Sequence, residues 1–177
     1  MKNAIVVSLL LFSVYASAQD KKDPTLKSIL LEQLRTTHNV KDWFVPVNIA
    51  LEGLTPEQAK WKDNSGNHSV GQLASHLIFW NLQQLSKFKG VQPPVFKDSN
   101  DETFNRFDNQ SWPATVKQLD SVLTAWEQAV EAADETKLKE WYSTIAHIGA
   151  HNAYHTGQII YARKQQGVWD PEKGVKF

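Results

Sequence analysis

Three histidines stand four residues apart in the stretch "AHIGAHNAYHTGQIIYARK" between Ala146 and Lys164: His147, His151 and His155. An imidazole can hold a divalent metal, move a proton or hydrogen-bond inside a core, and where it points separates these roles. At about 100° per residue, His151 and His155 share a core-facing line with Thr144, Ile148, Ile159, Ala162 and Gln166, within roughly 40° on either side. His147 falls about 60° from the mean direction of that pair, on the flank. Two imidazoles at i and i+4 on such a stripe can converge on one cation while each keeps its second ring nitrogen for a partner behind it. The spacing fits equally well two buried histidines that each find a hydrogen-bond partner of their own. A shared cation satisfies both at once, which matters where an unpaired polar group is costly.

The chain has no cysteine, so a metal would be held by His, Asp or Glu, and a disulfide or a thiol nucleophile of its own is excluded. A third ligand must come from another element, and His76 in "GQLASHLIFWN" is the only histidine within the second amphipathic segment. It sits about 100° from the centre of that segment's apolar stripe, on a flank that can face the last helix. His38, in "RTTHNVKDW", reads as a surface or cap-adjacent residue, and His68 as part of a turn. Gln158, one turn beyond His155, is placed either to hold a ligand or metal-bound water or to bond another helix. Tyr154 reads as packing or dimer surface. Asp42 and Glu57 are the acids to inspect as a general base, against the ordinary expectation of solvated carboxylates.

These side chains must be carried by helices. Leu26, Ile29, Leu30 and Leu34, then Trp43, Phe44, Val47 and Leu51, step by threes and fours and predict a helix from Thr25 to Leu51, kinked or broken near Phe44 by Pro46. Ser69 is an N-cap candidate for a second helix over Val70 to Lys89, stopped at Gly90. A third starts at Pro113, with Val116, Leu119, Leu123, Trp126 and Val130 in register. "DETK" interrupts it, and the fourth runs from Ser143 to Gln166. The 91–110 stretch, rich in Pro, Asn and Asp, is long for a connection and reads as a crossover or a lid, with Phe96, Phe104 and Phe107 available to line a pocket. Four long amphipathic segments without a period-2 run point to an all-α four-helix bundle.

Balanced charge, 19 Lys+Arg against 19 Asp+Glu with no basic block, excludes nucleic acid as an expected partner. Residues 1–18 read as a signal peptide: Lys2, then "AIVVSLLLFSVY", then "ASA" as a cleavage signal after Ala18. Residues 19–177 then form one exported domain, periplasmic or extracellular, with no membrane span after cleavage.

The pairing of "NHSVGQLASHLIFWN" with "HNAYHTGQIIYARK" resembles the DinB/YfiT-like superfamily of bacterial metal-dependent proteins. Its marks are one histidine in the second helix and H-x3-H followed by Gly-Gln in the last, here Gly157 and Gln158, and the likeness runs from about Thr25 to Gly167. It implies a four-helix bundle, often up-down-down-up, and a divalent metal on His76, His151 and His155; the helical wheel leaves His147 on the flank or behind the ligands. It also implies frequent homodimers, and relatives that include transferases and isomerases using low-molecular-weight thiols. Three neutral imidazoles suit Zn²⁺ or Ni²⁺, or Fe²⁺ or Mn²⁺ if a carboxylate or waters join. Three protein ligands leave a position for water or a small-molecule substrate, as a catalytic site requires. The expectation is a metal-dependent enzyme of hydrolase or thiol-transferase type; the alternative is a non-catalytic metal-binding or stress-related interaction module.

Overall fold

The computed structural model describes residues 23–107 and 111–176, so the leader and its cleavage point lie outside the described residues. Among the described residues six helices form: α1 (Leu26–His38), α2 (Val47–Leu51), α3 (Pro56–Lys60), α4 (Val70–Phe88), α5 (Trp112–Ala132) and α6 (Glu135–Gln165). Short 3-10 turns occupy Asn100–Thr103 and Pro171–Lys173, and there is no strand among the described residues. No helix among them is long and apolar enough to cross a membrane.

Local chemistry explains where the long helices start. Thr25 and Ser69 each accept a hydrogen bond from the backbone three residues on, and the side chains of Ser28 and Gln72 return it, closing a capping box on α1 and on α4. Asp134 caps α6 through the Lys137 N–H. That cap moves the start of α6 eight residues ahead of the expected Ser143. The polar turns "ETKLKEW" hide their helical character, because only Leu138 is fully buried there while Glu135 and Lys139 pair on the solvent face.

The first expected helix is two. α1 stops at His38, and Pro46, at φ −71° and ψ 160°, caps the short α2 rather than bending a continuous rod. His38 is 1% exposed and lies between carboxylates of α5, its Nδ1 2.6 Å from Glu127 Oε1 and its Nε2 2.9 Å from Asp120 Oδ1. The expected surface histidine is thus a buried bridge between two helices.

α1 packs on α5 and α6, and α4 packs on the same pair from the other side. Side-chain contacts give the directions. His76 meets His155, Asn81 meets Asn152 and Phe88 meets Trp141, so α4 and α6 run antiparallel. Lys27 reaches Glu131 while His38 reaches Asp120, so α1 and α5 are antiparallel too. The core is filled by Leu77, Leu119, Trp126, Ile145 and Ile159, with the Trp126 indole N–H donating to the Asn81 carbonyl at 3.2 Å.

Two buried polar devices set the register of α6. Asn81 and Asn152, both fully buried, exchange side-chain hydrogen bonds at 2.8 and 3.4 Å, one position past His151. Arg163, 4% exposed, donates to the carbonyls of Ala50, Glu52 and Val168 and lies over the Trp169 ring. It ties α2 and the C-terminal tail to the end of α6, satisfying carbonyls at the C-terminus of α2.

Candidate metal centre

The antiparallel register of α4 and α6 brings His76 level with His151 and His155. Each of the three offers one ligand atom, and these atoms lie within 4.8 Å of one another. His76 and His155 are buried and His151 is half-buried. The Nε2 atoms of His76 and His151 face each other at 3.1 Å, and the His155 ring stands edge-on to both neighbours, its centroid 4.6 Å from that of His76 and 4.5 Å from that of His151.

Behind two of the rings Nδ1 is held so that the proton sits there and Nε2 keeps its lone pair. His76 Nδ1 lies 2.5 Å from Thr103 Oγ1, and the Thr103 hydroxyl spends its proton on the Asn100 carbonyl at 2.6 Å. The oxygen must therefore accept from an Nδ1–H, which fixes the tautomer of His76. His155 Nδ1 lies 2.6 Å from Gln158 Oε1, and the amide nitrogen of Gln158 donates to the Tyr154 hydroxyl at 3.2 Å, so His155 too carries its proton on Nδ1. His151 Nδ1 is buried without a hydrogen-bond partner.

Burial, and then the neighbouring His155 and His151, push the His76 imidazole down to about 3. Burial, helped by His155, takes His151 down to about 4. His155 is lowered by burial, with its bond to Gln158 acting in the opposite direction. All three therefore stay neutral at pH 7, the state in which an imidazole can ligate. Neutral nitrogens aimed at one point, two with their tautomers held from behind, fit a divalent transition metal, and among the described residues no carboxylate joins the group.

An open cleft of about 730 Å³ reaches this cluster, lined by all three histidines together with Trp80, Phe104 and Tyr154. Across Tyr154 lies a second cleft of about 620 Å³ that includes Lys62, His68 and Gln158. His147 stands at the rim of the first, exposed, with Nδ1 2.7 Å from the Ser143 carbonyl one turn back. Its hydrogen bonds go to Ser143 and to no member of the cluster. Gln158 holds His155, as its spacing suggested. Asp42 and Glu57 are both exposed and line neither cleft, so neither is brought to the cluster.

Two contributors were not legible from the helical pattern. Thr103 is fully buried on the 3-10 turn of the long connection, where no periodicity predicts a direction. His68, read as a turn residue, stacks on Phe104 at 3.7 Å and 2°, and Phe104 stacks in turn on His76 at 4.0 Å and 5°. Only its position one residue before the Ser69 cap hinted that its ring would lie near the start of α4. The expectation that these rings line a pocket holds for Phe104, at the histidine cleft, and for Phe96, which packs on Phe79 and lines a separate cleft of about 300 Å³, whereas Phe107 covers Gly71. The connection thus works as a cover that supplies a ligand's partner.

An all-helical bundle whose second and last long helices bring three histidines to one open cleft defines the class of protein. The model of the DinB superfamily matches residues 47–159, a span that contains all three histidines, and the chain belongs to that superfamily. No curated protein and no solved structure matches the chain.

Proposed function

We propose that the protein is an exported metal-dependent enzyme, of hydrolase or thiol-transferase type, that acts on a small molecule with a Zn²⁺ or Ni²⁺ ion held by His76, His151 and His155. The observation that carries this reading is the convergence of three neutral imidazoles, two of them with the proton held on Nδ1 and Nε2 left as the donor, on a cleft wide enough for a ligand. Bound there, the ion would supply Lewis acidity toward water or a carbonyl group. Around it, Thr103 and Gln158 hold two ligand rings in one tautomer, Phe104 stacks on the His76 ring, and Trp80 lines the cleft beside it. Export rests on the "ASA" leader, and it favours the hydrolytic variant, since exported proteins meet little of the cytosolic thiol pool.

The test begins with metal analysis of purified protein. Stoichiometric Zn²⁺ or Ni²⁺, lost in His151→Ala, together with turnover of an ester, amide or thiol conjugate that stops on chelation, is the expected result. Metal bound without any chelator-sensitive turnover would favour a binding module, and no metal at all would sink the proposal.

A further inference from the structure

We infer that the histidine cleft selects an uncharged substrate carrying a flat aromatic group, an inference that rests on the metal-site reading above. Apart from the histidines, its walls are Trp80, Phe104, Tyr154 and Ile148, and its polar lining is Gln84, Asn100 and Thr144. Among the described residues that line it there is no Asp, Glu, Lys or Arg. Ionised groups occur just across Tyr154, where Lys62 and Asp63 line the neighbouring cleft, so the neutrality belongs to this cavity and not to the whole face.

Trp80 is built as a fixed plate. Its indole N–H donates to Asn100 Oδ1 at 3.1 Å, and Phe79 and Phe96 stand edge-on to it at 5.2 and 6.1 Å. With its one polar atom engaged and its back supported, the exposed part of the indole offers an incoming ligand only an apolar surface already in position, which lowers the ordering cost of binding. Phe104 is clamped between His68 and His76 with both faces covered, so it is equally unable to swing away. A substrate charge placed beyond the reacting group would leave water and meet no counter-charge here, whereas a ring would meet immobile aromatic walls.

The experiment uses the full mature protein loaded with Zn²⁺ and three hydroxamic acids that share one metal-binding head: acetohydroxamic, benzohydroxamic and 4-carboxybenzohydroxamic acid. Affinity is read by calorimetry. Benzohydroxamic acid is expected to bind about tenfold or more tightly than each of the other two. Trp80→Ala should erase its advantage over acetohydroxamic acid, and Gln84→Arg, at a half-exposed wall position, should tighten the carboxylated probe relative to acetohydroxamic acid. Acetohydroxamic acid binding while the ring gives no gain, or the remote carboxylate no loss, overturns this inference and leaves the metal site standing. If no hydroxamic acid binds the Zn²⁺-loaded protein, the metal-site reading itself fails.

Discussion

Replacing Thr103 by valine keeps the shape of a fully buried side chain and removes only the hydroxyl that joins His76 Nδ1 to the Asn100 carbonyl. With no room for water beside a residue of 0% exposure, the Nδ1–H of His76 is left unpaired in the folded protein. An unsatisfied buried donor costs about 1–3 kcal/mol. At ~1.4 kcal/mol per tenfold, that is roughly one to two decades, the range seen when partners behind metal ligands are removed. The cost falls on metal binding to the extent that the ring escapes it by changing tautomer, which places the proton on Nε2 and removes the ligand lone pair. The assay is a Zn²⁺ competition titration against a chromophoric chelator, paired with nitrogen NMR of the histidine tautomers. Thr103→Val should lose about 10- to 100-fold in affinity and show a mixed His76 tautomer, while Thr103→Ser, which restores the hydroxyl, should recover most of it. Wild-type affinity and a pure Nδ1–H tautomer in a folded Thr103→Val protein would refute the role assigned to this hydroxyl.

Acidity should weaken the metal-free protein. His76 and His151 titrate near 3 and 4 when folded and near 6.5 when not, so below 6.5 the unfolded chain binds more protons. Stability is full above that value and declines as pH falls toward 4; urea midpoints taken with chelator from about pH 7 to pH 4 should drop less in a His76→Leu/His151→Leu variant, and parallel profiles would contradict the shifts. At Gly71 an added Cβ would run into the Phe107 ring. Gly71→Ala should therefore push Phe107 and the 100s turn outward, lower stability by about 1–3 kcal/mol in denaturant melts and loosen Zn²⁺ binding as well. Breaking the Asn81–Asn152 pair with Asn152→Leu leaves the Asn81 amide without its cross-helix acceptor, and a loss of roughly 1–3 kcal/mol with a weaker metal site is the expected outcome of the same two assays.

The long helices and the inward direction of His151 and His155 were legible in the sequence because both follow from a local period of 3.6 residues. The candidate third histidine was legible for a plainer reason: His76 is alone in its segment. The start of α6 was missed because its first turns are stabilised by a cap and an ion pair more than by an apolar stripe. His38 was misplaced because what draws it inward, Asp120 and Glu127, lies on another helix more than 80 residues along the chain.

By itself, then, the sequence determined the outline of the long helices and which two imidazoles share a face, since both depend on neighbours within a few turns. Tertiary structure alone decided that His76 meets them, through a register set by Asn81 with Asn152 and by Arg163 with the carbonyls of α2. It alone decided that Thr103 and Phe104, from a connection without periodicity, close over His76. A histidine's tautomer and the charge of the space before it are set by atoms brought together from distant parts of the chain, and no local pattern encodes that meeting.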